Sequence, residues 1–261
     1  QIIPKNKINN SYAFLIPSFP KTGTTSLIHS LGKNFVPVVK LNYLKLNPKF
    51  ENIKNHLSIH QNQNLNNKKF IKNYSEIEEP DGDINIFCDY LYFNKYKNSF
   101  KHKIYLTVFR DFRTLITSYY FQFNGEKYFS NSYERNQTKL EILKEINKFI
   151  LFYEKWLENF VNDYNLDFNL LKKIDNAYLL NKSNEKFYFI NLNNLETFYK
   201  DNLVKEYSIS NDFINENLSE NKNYSKLYED VKNDIFAELK NYNFEKFKYV
   251  NTIQKMFFNK I

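Results

Sequence analysis

Short runs of apolar residues alternate along the chain with longer stretches in which apolar positions recur every three or four residues. The short runs are rich in β-branched and aromatic residues and are bounded by polar or turn-forming positions, which predicts buried strands. Pro37 places one of them at a sheet edge or strand end, because proline cannot donate a ladder hydrogen bond. The predicted strands cover 13–16, 35–39, 84–88, 103–109 and 187–190.

The longer periodic stretches predict amphipathic helices. The clearest is 138–161, in which positions such as Ile146 and Ile150 keep the helical spacing. A strand, a short loop and a helix follow one another at 13–31 and again at 103–123, which indicates parallel βαβ topology. The other predicted helices cover 24–31, 93–100, 114–123, 195–203 and 227–239.

These elements predict one α/β domain over residues 1–261, with a central, mainly parallel sheet flanked by helices. No internal repeat and no linker divides the chain. Residues 42–80 are polar, rich in Asn and Lys, and only weakly periodic, and they contain His56 and His60. A long irregular segment of this kind is typical of a binding loop.

Composition narrows the classes of ligand and compartment. The 261 residues carry a net charge of +8, which favours anionic ligands such as a nucleotide or an acidic glycan. The lysines are scattered and no RNP-like or zinc-finger pattern occurs, so we expect no nucleic-acid partner. The single cysteine, Cys88, excludes an intramolecular disulfide and favours a reducing compartment. No stretch approaches about 18 apolar residues, so we predict no integral membrane segment and a cytoplasmic protein, with a lumenal domain of a longer protein as the alternative.

The loop between the first strand and the first helix holds the residues with the most specific chemistry. Pro17, Pro20 and Gly23 break the chain there, and a lysine and several hydroxyls lie at the start of helix 24–31. Unpaired backbone N–H groups and the positive end of the helix dipole favour a phosphate-like anion at such a place. The candidate ligands are Lys21, Thr22, Gly23, Thr24, Thr25 and Ser26.

The loop is not a Walker A motif, because Lys21 precedes Gly23 and no Gly-Lys pair opens the helix. The order Pro-Lys-Thr-Gly-Thr-Thr-Ser-Leu at 20–27 instead resembles the 5′-phosphosulfate loop of the PAPS-dependent sulfotransferases. This resemblance implies that the loop binds PAPS (3′-phosphoadenosine 5′-phosphosulfate) as donor substrate and PAP as product. The alternative is an ordinary loop with a chance lysine.

Arg110 and Ser118 form a second candidate anion site. Arg110 follows strand 103–109, at the sheet edge where ligands of parallel sheets bind, and Ser118 lies eight residues further on. A guanidinium and a hydroxyl can together hold a phosphate dianion. In the sulfotransferase family an Arg and a Ser at this spacing hold the donor's 3′-phosphate, and Ser-Tyr-Tyr at 118–120 resembles that family segment. The alternatives are a surface salt bridge of Arg110 with Asp111 and a plain helix-face hydroxyl.

The resemblance covers 12–123 with specific motifs and 186–200 more loosely. The cytosolic branch of the family has a Lys-Thr-His tripeptide and a C-terminal Arg-Lys-Gly loop, and both are absent from this sequence. Lys246, Lys248 and Lys255 are candidates to replace the charge of that loop. The bacterial and carbohydrate branches, which often use a carboxylate as base, are therefore closer.

The leading hypothesis is a sulfotransferase that moves a sulfuryl group in line from PAPS to an acceptor hydroxyl, on a glycan or another small molecule. No metal is expected, because no cluster of His, Cys and Asp has ligand spacing. Residues 42–80 and 124–165 are predicted as acceptor-side insert or lid regions. Two alternatives stay open: a P-loop-type nucleotide kinase or NTPase, and a catalytically silent PAP- or glycan-binding protein on the same fold.

Sulfuryl transfer also needs a general base that takes the proton of the acceptor hydroxyl. Asp89 follows the apolar run of strand 84–88, on the sheet edge that carries the loop and Arg110. His60, in the polar segment, is the reserve candidate. The alternative for Asp89 is a cap of the following helix.

We expect Lys21→Ala to lower turnover by more than it weakens PAP binding. The reason is that the lysine's charge is needed most when the bridging oxygen becomes negative in the transition state. Transfer of labelled sulfate and calorimetric titration with PAP measure the two quantities separately. Turnover close to that of the unchanged protein would contradict the role given to Lys21.

Overall fold

The computed structural model of the protein describes residues 12–17, 19, 22–32, 84–87, 101–124, 134–207, 209, 211–215 and 225–258. Over these residues a sheet lies between two layers of helices, and the predicted α/β class is confirmed. None of the helices in this part of the chain is long and apolar enough to cross a membrane. The strand predicted at 35–39, the helix predicted at 93–100 and the segment 42–80 lie outside the described residues.

The sheet is mixed, with a parallel half and an antiparallel hairpin at one edge. Its strands lie in the order β2-β1-β3-β6-β5-β4. The first four in this order pair in parallel, whereas β5 pairs antiparallel with both β6 and β4. The sequence pattern predicts the parallel half but not the hairpin, so the sheet is less uniformly parallel than expected. The strands are β1 (Tyr12–Leu15), β2 (Ile84–Phe87), β3 (His102–Phe109), β4 (Lys172–Ile174), β5 (Ala177–Lys182) and β6 (Glu185–Asn191).

The helical segments of the described residues are α1 (Thr24–Gly32), α2 (Phe112–Asn124), α3 (Arg135–Asp163), α4 (195–207), α5 (Ser225–Glu238) and α6 (Lys248–Phe257). Each except α6 corresponds to a predicted helix. No helix is predicted for α6, although its buried residues Val250, Ile253 and Gln254 lie at helical spacing, so the sequence prediction misses this helix. Helix α4 contains a π-helical stretch at Tyr199–Val204, and a 3₁₀ turn at Leu192–Asn194 connects β6 to it.

The side chains of β3 alternate between two apolar cores, one on each face of the sheet. Ile104, Leu106 and Val108 pack with residues of α1 and α4 on one face. Tyr105 and Phe109 pack with residues of α2, α3, α5 and α6 on the other. Burial on both faces is typical of parallel strands, because the helices of their crossover connections cover the sheet.

Helix α3 lies within the region 124–165 that the family resemblance assigns to the acceptor side. One face of this helix is buried in the same core as α2, through residues such as Ile142, Ile150 and Leu157. The helix is therefore part of the framework that supports the sheet. An acceptor-binding role for this region stays a prediction.

Gly23 connects the loop after β1 to α1 through a backbone conformation that favours glycine. Its φ angle is +83°, and its carbonyl accepts a helical hydrogen bond from the Leu27 N–H at 3.2 Å. A Cβ atom built on Gly23 would lie 2.5 Å from Leu192 Cδ1 and 3.1 Å from Leu195 Cδ2. The start of α1 is therefore packed closely against the segment that follows β6.

We expect Gly23→Ala to lower the free energy of unfolding by about 1–2 kcal/mol, because a left-handed backbone is unfavourable for residues with a Cβ atom. Gly23→Asn is the comparison: asparagine tolerates a positive φ better but has a larger side chain beside Leu192, so a smaller loss than for alanine would show that the backbone angle sets the cost. Urea unfolding followed by circular dichroism measures both variants. Equal losses would show that contact with Leu192, and not the backbone angle, sets the cost.

Candidate functional site

The carboxyl ends of the neighbouring strands β1 and β3 lie at the point where the strand order of the sheet reverses. From β1 the chain leads through α1 to β2 on one side, and from β3 it leads through α2 and α3 to the strands on the other side. Open parallel sheets bind their ligands in the crevice at such a switch point. The loop after β1 and Arg110, the residue that follows β3, both lie at this edge.

Arg110 is held by hydrogen bonds to two helices. Its Nε donates to Thr114 Oγ1 at 3.1 Å, and its Nη2 donates to the Tyr228 hydroxyl at 3.1 Å. The Thr114 hydroxyl donates in turn to the carbonyl of Asp111 at 3.0 Å. The first turn of α2 and the first turn of α5 therefore fix the direction of the guanidinium.

Ser118 lies inside α2 and is buried, with 3% of its surface exposed. Its hydroxyl is hydrogen-bonded to the same Tyr228 hydroxyl that accepts from Arg110. The structure thus brings Arg110 and Ser118 to one point, and the residue that joins them lies 110 positions beyond Ser118 in the chain. All three side chains carry groups that can donate hydrogen bonds to a phosphate oxygen.

Asp111 forms its ion pair with Arg113. The alternative of a salt bridge between Arg110 and Asp111 is therefore wrong. Arg113 Nε donates to Asp111 Oδ1 at 2.9 Å and to Oδ2 at 3.1 Å. The Arg113 backbone N–H donates to Oδ1 at 2.9 Å, so the carboxylate also caps the start of α2. The guanidinium of Arg113 stacks on the Phe236 ring, with 4.3 Å from Cζ to the ring centre.

A cleft of about 470 Å³ opens beside Arg110, between the ends of β3 and β6, helix α5 and the end of α6. Among the described residues, Arg110, Arg113 and Lys232 line it together with one carboxylate, that of Asp111. Arg113 pairs with Asp111, and Lys232 pairs with Glu229 outside this lining, so the described lining itself carries an excess of positive charge. The arrangement favours an anionic ligand.

The rest of the cleft wall combines aromatic rings with amides. Phe236, Phe257 and Phe258 contribute the rings, and Asn191 and Asn193 the amides. The Asn191 side chain stabilises the cleft wall. Its Nδ2 donates to the Phe257 carbonyl at 3.2 Å, and its Oδ1 accepts from the Asn193 N–H at 2.9 Å. Flat rings beside cations suit a planar group that carries negative charge.

The loop after β1 borders this cleft, because Leu192, which Gly23 contacts, is one of the lining residues. Thr22 is buried and its hydroxyl donates to the Phe19 carbonyl at 2.8 Å, so this hydroxyl stabilises the loop itself. Thr24 is also buried, and its hydroxyl finds no hydrogen-bond partner among the described residues. Ser26 is buried on α1.

Tyr119, in the Ser-Tyr-Tyr segment, contributes packing to the site. Its ring stacks on Phe19 of the loop after β1, with 5.8 Å between ring centres. Burial raises the pKa of Tyr119 to about 12, so the phenol stays protonated at neutral pH. The neighbouring Tyr120 donates a hydrogen bond to Glu141 of α3. The segment therefore connects the loop, α2 and α3.

Helix α5, the wall of the cleft that carries Tyr228, is anchored in two ways. Its buried face, which includes Val231 and Ile235, packs in the core with α2 and α3. Its outer face is tied to α3 by exposed ion pairs, of which Arg135 to Asp234 has contacts of 2.6 and 2.5 Å. The hydrogen bond from Arg135 lowers the pKa of Asp234. Such exposed pairs contribute little energy, so the apolar face sets the position of the helix.

Tyr228, Lys232 and Phe236 are site residues that the sequence does not single out. They occur every four residues on α5, and each directly follows a predicted core position of that helix. Periodicity marks the buried stripe, and it does not distinguish a neighbouring position that faces a cleft from one that faces solvent.

The remaining predicted site residues lie outside the part of the chain that the structure describes. These are Lys21, Asp89 and His60, together with the side chain of Thr25. Comparisons with known protein families, with curated proteins and with solved structures found no match to this chain.

Proposed function

We propose that this protein is a PAPS-dependent sulfotransferase that moves a sulfuryl group to an acceptor hydroxyl, with a carbohydrate as the favoured acceptor. The observation that carries the proposal is the convergence of Arg110 and Ser118 on one point at the carboxyl end of β3. The loop after β1, whose sequence at 20–27 resembles the phosphosulfate loop of that family, borders the same cleft through Gly23 and Leu192. Gly23 of the first segment and Arg110 of the second therefore both lie next to this cleft, which supports the proposal.

The chemistry of the donor matches the parts of this cleft. PAPS carries a 3′-phosphate and a 5′-phosphosulfate, so it needs two anion sites and room for a nucleoside. Arg110 with Ser118 would hold the 3′-phosphate, and the N-terminus of α1 would hold the 5′-phosphosulfate. The phenylalanine rings and the Asn193 amide in the cleft suit the adenine base, which stacks on aromatic faces and forms hydrogen bonds with amides.

In the proposed reaction the acceptor oxygen attacks sulfur and forms a new S–O bond. The bond between sulfur and the bridging oxygen of the 5′-phosphate breaks, and PAP leaves with that electron pair. Lys21 would stabilise the charge on the leaving oxygen, and Asp89, with His60 in reserve, would take the acceptor proton. These three roles stay predictions from the sequence, as does a cytoplasmic location.

PAP is expected to raise the melting temperature of the protein in the absence of magnesium, because the proposed site holds the nucleotide with side chains and backbone N–H groups. The same titration with ATP, with and without magnesium, is the comparison. Magnesium-dependent stabilisation by ATP alone would contradict the proposal and point to a nucleotide kinase or NTPase. Binding of PAP with no transfer of labelled sulfate to any acceptor would instead indicate a catalytically silent binding protein.

Arg110→Ala is expected to weaken PAP binding by roughly 1.5–3 kcal/mol, the contribution of a hydrogen bond to a charged group. AMP, which lacks the 3′-phosphate, should bind almost unchanged. Lys155→Ala removes an exposed cation of α3 that pairs within its own helix, with Glu158, and controls for the loss of one positive charge. Equal weakening of PAP and AMP by Arg110→Ala would show that Arg110 does not bind the 3′-phosphate.

A further inference from the structure

Helix α5 carries three side chains at intervals of four residues on the side of the cleft. Lys232 and Phe236 line the cleft, and Tyr228 contacts Arg110, which also lines it. Residues at this spacing lie on one face of a helix. Tyr228 is buried, with 7% of its surface exposed, and Lys232 Nζ lies 5.4 Å from the centre of its ring. A hydroxyl and an ammonium group therefore stand beside Arg110 on a helix to which no motif assigns a function.

We propose that α5 completes a phosphate site, in which the Tyr228 hydroxyl and the Lys232 ammonium bind a phosphate monoester dianion together with Arg110. The identity of that dianion as the 3′-phosphate of PAP rests on the proposed function. The phosphate site itself rests on the contacts of α5 with the end of β3 and the first turns of α2.

The Tyr228 hydroxyl lies within hydrogen-bond distance of the groups that would bind the phosphate. It accepts a hydrogen bond from Arg110 Nη2 at 3.1 Å and is bonded to the Ser118 hydroxyl. A phosphate oxygen has only acceptor capacity, so the Tyr228 O–H can rotate to donate to it beside the fixed N–H donors of the Arg110 guanidinium. Hydrogen bonds to a charged acceptor are about twice as strong as those between neutral groups, which favours this exchange.

Lys232 can add its charge at low cost. It pairs with Glu229 at the surface, with the Lys232 and Glu229 side chains 23% and 51% exposed, and surface ion pairs contribute only about 0–1 kcal/mol. Lys246 and Lys248 are two of the candidates to replace the charge of the family's C-terminal loop. They pack instead over the rings of their neighbours Phe247 and Tyr249. Lys232 is the only lysine among the described residues that line the cleft.

The ring of Tyr228 keeps its structural role when the hydroxyl is removed. It packs edge to face on Phe121, with ring centres 5.4 Å apart. Tyr228→Phe therefore preserves the apolar packing of α5 on α2, so its effect on binding reports the loss of the hydroxyl alone. Lys232→Gln does the same for the ammonium charge while it keeps most of the aliphatic chain.

The test is calorimetric titration of the protein and its variants with PAP, AMP and phenyl phosphate, after circular dichroism has shown that each variant is folded. We expect Tyr228→Phe and Lys232→Gln each to weaken PAP and phenyl phosphate by about tenfold or more, and to leave AMP almost unchanged. Tyr242→Phe, which removes a hydroxyl bonded to Asn147, and Lys226→Gln, an exposed position of α5, are the controls and should have no effect.

Each result decides a different point. If Tyr228→Phe binds PAP as tightly as the unchanged protein or more tightly, the hydroxyl only fills an empty site and the inference is overturned. If the unchanged protein ignores PAP but binds phenyl phosphate with the expected losses in both variants, the phosphate site stands and the sulfotransferase proposal falls. If it binds neither compound, both are wrong.

Discussion

Strand β3 lies in the interior of the sheet, between β1 and β6, and packs into an apolar core on each face. Every residue from Lys103 to Phe109 is buried, and each large apolar side chain contributes roughly 1.5–3 kcal/mol relative to an exposed one. A shift of one residue along the sheet would force the rings of Tyr105 and Phe109 into the core that holds Ile104 and its aliphatic neighbours. This packing fixes where β3 ends, and with it the position of Arg110 at the cleft.

The loop after β1 is held from two sides by the same framework. Phe19 enters the aromatic core of α3, with its ring centre 4.7 Å from that of Tyr153 and 5.6 Å from that of Trp156. A few residues later, Gly23 meets Leu192 beyond the end of β6. Phe19 and Gly23 are therefore both packed against this framework, and the first turn of α1 has a defined direction relative to the cleft.

The polar contacts of the cleft depend on apolar packing in the same way. Val231 and Ile235 hold α5 in the core, and this brings the Tyr228 hydroxyl to Arg110 and Ser118. A buried hydroxyl needs a partner, so these hydrogen bonds reinforce the placement that the core determines. The proposed anion site would therefore have its donors in position before the ligand arrives, which lowers the cost of binding.

The sequence by itself determined the features that depend on local spacing: the strands of the parallel half and the helices other than α6. Alternation and helical periodicity suffice for these, because both act within a few residues. Only the tertiary structure decided the β4–β5 hairpin, the burial of Gln254 in α6, and the part that Tyr228 plays in the cleft. A helical pattern states which face is buried, but the partner of a side chain beside that face depends on packing between segments about 110 residues apart.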